Sequence, residues 1–142
     1  MANLYSDSIS SISEKEREQN VKTPKNISLE KSVAVIVLNY KNKDETVSCI
    51  KHLKTSIYRN YTIFVVDNNS QDGSFEFLKE RLPDCEVYEI GDNNGYAAGN
   101  NYAIRIALKK QYDYICIINN DAFVEKNTLK NLVDYLNCHK QV

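Results

Sequence analysis

From Val33 onward, apolar and polar positions alternate between two kinds of pattern. Val33-Ala34-Val35-Ile36-Val37-Leu38 is an unbroken apolar run rich in β-branched residues. A strand buried on both faces reads this way, and such strands belong to parallel sheets. The next segment, about Lys43 to Ser56, carries Val47, Ile50, Leu53 and Ile57 at helical spacing, with Asn42 or Asp44 able to cap its start. A second strand is expected over Tyr61 to Val66, closed by the dense turn signal Asp67-Asn68-Asn69-Ser70-Gln71-Asp72-Gly73. A short helix from about Ser74 to Arg81 presents Phe75, Leu78 and Leu82 on one side, and Pro83 stops it. A third strand, about Glu86 to Ile90, alternates in period two and leads to the loop Gly91 to Gly95. A helix from about Tyr96 to Lys110 carries the stripe Ala103, Ile104, Ala107 and Leu108. The strand Tyr114 to Ile118 ends in Asn119-Asn120-Asp121, and a last helix, about Lys126 to Cys138, carries Leu129, Leu132, Val133 and Leu136.

The order is β-α-β-α-β-α-β-α. Strands alternating with helices of this length predict an α/β domain with a mostly parallel sheet flanked by helices. We place this domain at residues 32–142. Residues 1–31 read differently. Serines lead into Glu14-Lys15-Glu16-Arg17-Glu18, so a polar tail, flexible or a solvated helix, is expected there.

Composition narrows the function classes. The 142 residues suffice for one core. The net charge of -1 offers no basic field for nucleic acid. Cys49, Cys85, Cys116 and Cys138 form no C-x-x-C pair, and His52 and His139 are the only histidines, so free thiols are expected rather than a zinc cluster. Cys116 reads as a small apolar core residue. No apolar run approaches the roughly 20 residues that span a bilayer. The segment Met1 to Asn20 lacks the apolar stretch of a signal peptide. A cytoplasmic protein, at most peripheral at the inner face of the membrane, is the expectation.

Small polar residues collect after the strands: Asn39-Tyr40, then Asp67 to Gly73, Asn93 to Gly95, and Asn119 to Asp121. In a parallel sheet all four loops lie at one edge, where open α/β sheets bind ligands. Asn, Asp and Gly are also the residues tight turns favour, so one such loop alone would mean little; four are needed for the argument. The chemistry suggested is diphosphate and cation binding. Asp121, held at a strand end beside amide oxygens, suits Mg2+ or Mn2+ with substrate phosphates completing the shell. Asp67 could accept hydrogen bonds from a base or a ribose, and Tyr40 could stack on a base. There is no G-x-G-x-x-G after the first strand and no Walker A sequence.

These pieces resemble the family-2 glycosyltransferases, and within them the rhamnosyltransferase-like branch. The carriers are Val35-Ile36-Val37-Leu38-Asn39-Tyr40, Val65 to Ser74, Asn93-Asn94-Gly95-Tyr96-Ala97-Ala98-Gly99-Asn100-Asn101, and Ile117-Ile118-Asn119-Asn120-Asp121. Their order and spacing agree with the family over about residues 33–135. The resemblance implies a GT-A (Rossmann-like) fold and inverting transfer of a sugar from a nucleoside diphosphate donor, a UDP- or dTDP-sugar, to a glycan or lipid-linked acceptor. It also implies roles. Leu38 and Tyr40 match positions that line the base pocket. Asp67 and Asn68 match the pair that contacts base and ribose. Asn93 and Gly95 match the loop closing over the nucleotide, and Asn39, Asn69 and Asn101 are counted among the nucleotide-sugar-binding residues. Asn119 and Asn120 precede the metal-binding Asp121 of the D-x-D position. Asn68 and Asn119 stand where the family often has carboxylates, which implies weaker metal binding.

Family members continue well past the D-x-D with an acceptor-binding half and a carboxylate base, which an inverting transfer needs. The chain is therefore expected to be a truncated, donor-binding portion, with the base beyond Val142; Glu125 lies too early to match. Such a portion would pair with its missing half or self-associate through bare apolar surface. Two other readings are a catalytically inactive nucleotide-sugar-binding module and a nucleotidyltransferase. The last would carry a Gly-rich loop where this chain has Asn39-Tyr40-Lys41-Asn42-Lys43.

Overall fold

The computed structural model describes residues 30–139. The expected tail falls almost wholly outside them. Eight elements follow one another: β1 (Val33–Asn39), α1 (Lys43–Leu53), β2 (Tyr61–Asp67), α2 (Ser74–Arg81), β3 (Glu86–Glu89), α3 (Tyr96–Lys109), β4 (Tyr114–Asn119) and α4 (Thr128–Cys138). The four strands form one sheet in the order β3-β2-β1-β4, and every pairing is parallel. This is the predicted α/β architecture with helices on both faces. Among the described residues, no helix is long and apolar enough to cross a membrane.

β1 is the centre of the sheet and is buried along its whole length, which explains its unbroken apolar run. Alternate residues serve two separate cores. Val33, Val35 and Val37 face a core that includes Ile50 and Leu53 of α1, Leu78 of α2, and Leu129 and Val133 of α4. Ala34, Ile36 and Leu38 face the other core, with Phe64 and Val66 of β2 and Ala103 and Ala107 of α3. α3 can lie close because its inward positions are small. A Cβ on Gly99 would meet Leu38 Cδ1 at 2.5 Å and Asn68 Oδ1 at 3.1 Å, so a glycine is what this approach allows.

Some expected apolar positions turn out bare. Ile57 is exposed because α1 ends at Leu53, four residues earlier than its position. Leu108 and Leu132 lie on the flanks of their stripes, where no other described element covers them. All four cysteines are free. Cys116 is half-buried, and burial raises its thiol pKa.

At the edge where the strands begin, Asp113 ties β4 to the entry of β1. It accepts from Lys31 Nζ at 2.8 Å, from the Ser32 backbone N–H at 2.8 Å and from Ser32 Oγ at 2.9 Å. These donors, the lysine first, hold its carboxyl down at about 2 against an ordinary 3.8. A carboxyl depressed by folding stabilises the fold above its unfolded value and loses that effect as pH falls through the folded one. Asp113→Asn is expected to lower the thermal midpoint at pH 7, and the gap to the parent chain should close between pH 3.8 and about 2. A gap constant over that range would show that the carboxylate charge contributes nothing. Phe64 is fully buried, with Tyr112 edge-on at 5.6 Å. Chemical denaturation of Phe64→Ala should show a loss of about 3–5 kcal/mol, much of what a domain this size has.

Candidate functional site

The parallel register places all four strand ends at one edge. Asn39 lies opposite Asp67, Asp67 opposite Glu89, and Leu38 opposite Asn119. The period-two rule then divides the site. Asn39 and Asp67 share the parity of Val37 and Val65 and so face the α1 side. Leu38 and Asn119, paired in register, fall on the α3 side.

On the α1 side lies a buried polar network. Asp67 is 1% exposed. Its Oδ1 accepts from Asn39 Nδ2 and from Ser70 Oγ, both at 2.6 Å, and its Oδ2 accepts from the Ser70 backbone N–H at 2.9 Å. Ser70 Oγ in turn accepts from the Lys41 backbone N–H at 2.9 Å. The Asn39 carbonyl oxygen Oδ1 accepts from Thr46 Oγ1 at 2.8 Å, and Thr46 Oγ1 accepts from Asn120 Nδ2 at 3.1 Å. The ends of β1, β2 and β4 and the first turns of α1 are thereby joined by side chains. Asp67, expected at the base or ribose, is here the acceptor for the chain's own donors. Asn39 is likewise fully buried, a bracket beneath the rim rather than part of its surface.

On the α3 side the loops close on one another. Asn68 Nδ2 donates to Asn93 Oδ1 at 2.8 Å, which also accepts from the Gly95 backbone N–H at 3.1 Å. Gly95 has φ 86° and ψ 175°, a backbone region almost restricted to glycine. It turns the chain directly into α3. Tyr96 Oη donates to Asn119 Oδ1 at 2.8 Å across the rim. Asn68 Oδ1 and Asn100 Oδ1 are buried without a partner among the described residues. An unpaired buried acceptor costs about 1–3 kcal/mol, so this side of the site is short of donors.

Asn101, expected among the nucleotide-sugar-binding residues, is exposed on α3, about 100° round the helix from the buried Asn100. The residue buried behind the loop is Asn100, whose Nδ2 donates to the Tyr96 carbonyl at 2.9 Å. Asn69, at φ 56°, forms part of the turn after β2. Tyr40 is 46% exposed at the end of β1, with its ring open to a planar partner and Lys41 Nζ 5.2 Å from its centroid.

Asp121 is exposed and makes no hydrogen bond or ion pair among the described residues. Its neighbours are all tied. Asn119 O accepts from Cys49 Sγ at 3.6 Å and from the Ala122 backbone N–H at 3.1 Å. Burial, and then the negative charge of Asp121, raise the Cys49 thiol pKa. No group of three or more His, Cys, Asp or Glu side chains that could hold a metal exists among the described residues. One free carboxylate is nevertheless what Mg2+ or Mn2+ uses when phosphates and water supply the rest of the shell. A cleft of about 240 Å3 lies beside this loop, between His52, Phe123 and Glu45. A larger hollow of about 430 Å3, near Lys54, Arg59 and Asp84, sits where β2 begins, at the edge away from these groups.

Thr46, Ser70, Cys49 and Tyr96 carry much of this geometry, and sequence reasoning assigned them no role. The helical stripe holding Val47 and Ile50 was a usable signal, because Thr46 and Cys49 fall on the same face.

The chain is similar to several known proteins. It is 27% identical over 110 residues to "Glycosyltransferase GlyG" of Streptococcus pneumoniae, a match covering 70% of this chain and 33% of that protein. It is 28% identical over 101 residues to "Low-salt glycan biosynthesis hexosyltransferase Agl10" of Haloferax volcanii, covering 70% of this chain and 31% of that one. The chain thus spans about a third of the length of these relatives. The mannosyltransferase PcManGT of Pyrobaculum calidifontis, solved with GDP-Man and Mn2+, superposes with a TM-score of 0.68 at 25% identity, over 77% of this chain and 33% of that one. S. aureus TarS 1-349, solved with UDP-GlcNAc, shares the GT-A fold at a TM-score of 0.66 and 18% identity, over 77% of this chain and 32% of that one. Residues 32–141, nearly all of the described structure, match the pattern of Glycosyl transferase family 2, and the chain belongs to that family.

Proposed function

We propose that this chain is the donor-binding part of a metal-dependent, inverting glycosyltransferase of the rhamnosyltransferase-like branch. It takes a UDP- or dTDP-sugar, and the whole enzyme transfers the sugar to a glycan or lipid-linked acceptor at the cytoplasmic side of a membrane. The observation that carries this reading is the contrast at the strand-end rim. Tyr40, Asn119 and Asp121 are exposed, while Asn39, Thr46 and Asp67 beneath them are buried and joined by hydrogen bonds. A rim meant only as a set of turns has no need to keep a carboxylate unpaired after β4.

The roles divide accordingly. Tyr40 offers its ring face to the base. Leu38 and Gly99 form the apolar floor between β1 and α3. The Asn93–Gly95 loop lies beside them as the wall against the nucleotide. Asp121 would hold Mg2+ or Mn2+, which supplies charge neutralisation for the departing diphosphate. In the inverting step, the acceptor hydroxyl oxygen bonds to the anomeric carbon as the bond to the diphosphate breaks, and a base takes the hydroxyl proton. The relative solved with GDP-Man and Mn2+ supports the donor class and the cation.

Titration calorimetry tests this directly. UDP or dTDP should bind the 142-residue chain in millimolar Mn2+, and chelation should weaken binding. Asp121→Ala should abolish the difference between the two conditions while leaving metal-free binding unchanged. Equal Mn2+ dependence in both proteins would remove Asp121 from the cation site.

A further inference from the structure

The network beneath the rim assigns a role to a residue inside a helix. We propose that Thr46 is the positioning residue of the Asn119–Ala122 turn, and that its hydroxyl aims Asp121 at the cation. This rests on the reading of Asp121 as the cation's carboxylate, and the test separates the two.

Thr46 lies in the second turn of α1 and is fully buried. Threonine is a middling helix former, because a β-branched side chain loses rotamer freedom there. A threonine inside a helix ordinarily satisfies its hydroxyl by bonding back to the carbonyl four residues earlier. That acceptor is present, Asn42 O at 3.0 Å, yet Asn39 Oδ1 is closer at 2.8 Å. A valine would fill the same volume and suit the adjoining core, as Val47 does next to it. The hydroxyl therefore serves a partner outside the helix.

The direction of each bond follows from Asp67. A carboxylate only accepts, so Asn39 must turn its amide nitrogen to Asp67 and its oxygen to Thr46. Thr46 then directs its single proton to Asn39 and leaves its lone pairs for Asn120 Nδ2, at 3.1 Å. One turn further along α1, Cys49 Sγ reaches Asn119 O. α1 thus grips the two residues before Asp121, while the backbone N–H of Ala122 is bonded behind it. Among the described residues, the Asp121 carboxylate is left without a hydrogen bond or ion pair. Partners of this kind around a metal ligand typically change metal affinity by about 10–100-fold when removed.

The test compares four proteins with the parent chain: Thr46→Val, Thr46→Ser, Asn120→Ala and the Thr46→Val/Asn120→Ala double variant. UDP affinity is measured with Mn2+ and with chelator. Backbone 15N relaxation reports the order of residues 119–122 without ligand. Thr46→Val should weaken Mn2+-supported UDP binding by roughly tenfold or more and leave binding in chelator unchanged. Thr46→Ser should restore it. Asn120→Ala removes the same bond from the exposed side, so it should lose as much, and the double variant should be no worse than either. Should Thr46→Val not fold, Asn120→Ala measured against the parent carries the test. An unchanged Mn2+ titration for Thr46→Val, or equal losses with and without Mn2+, overturns the proposal. If the parent chain shows no Mn2+ dependence, the cation reading fails on its own. The positioning role then stands if residues 119–122 loosen in Thr46→Val, and falls if their relaxation is unchanged.

Discussion

The candidate site depends on one buried acceptor. Asp67 ends β2 beneath the rim and takes donors from Asn39 and from both the hydroxyl and the backbone of Ser70. Burying a polar group is costly unless it is bonded, and a carboxylate brings the strictest demand, because every partner must donate. That demand orients Asn39, which orients Thr46, which receives Asn120. A polar network of this kind is worth having only when each member is satisfied. Here it links three strand ends and one helix into a single support. The fold supplies the edge, and the network fixes what stands on it.

The support and the working surface are different residues. Strand parity makes the separation: Asn39 and Asp67 lie under the start of α1, and Leu38, Asn68 and Asn119 lie toward α3. On the α1 side Asn39, Thr46, Asp67 and Ser70 are joined by internal bonds. The α3 side keeps two buried acceptors unpartnered among the described residues, Asn68 Oδ1 and Asn100 Oδ1, beside a helix brought close by Gly99. Rigidity on one side and unmet bonding capacity on the other suit a site that must hold a ligand in one orientation.

Much of the fold was legible because the strands carry an unambiguous signal. A run such as Val33 to Leu38, short, apolar at every position and rich in β-branched residues, reads as a strand covered on both faces, and parallel order then brings the polar loops to one edge. What escaped was direction. The alternation of Ile63, Val65 and Asp67 turns Asp67 under α1, where it bonds Asn39 and Ser70. On α3, a single step separates the exposed Asn101 from the buried Asn100, a difference the sequence does not display. Thr46 and Cys49 are not legible in the apolar periodicity of α1, which marks Val47, Ile50 and Leu53. Their bonds to the Asn119–Asn120 turn span about 70 residues, and no local pattern reveals a contact of that span. Leu108 and Leu132 mark the limit of the stripe argument: an apolar flank is buried only where another element exists to cover it.

The central claim, that this rim grips a nucleoside diphosphate through Tyr40 and a cation at Asp121, is tested most directly by crystals of the chain grown with UDP and Mn2+ and measured for manganese anomalous scattering. The account predicts an anomalous peak at the Asp121 carboxylate, with the uracil ring against Tyr40 and Asp67 still bonded to Asn39 and Ser70. A peak held by other side chains, or a nucleotide bound away from the strand-end rim, would contradict it.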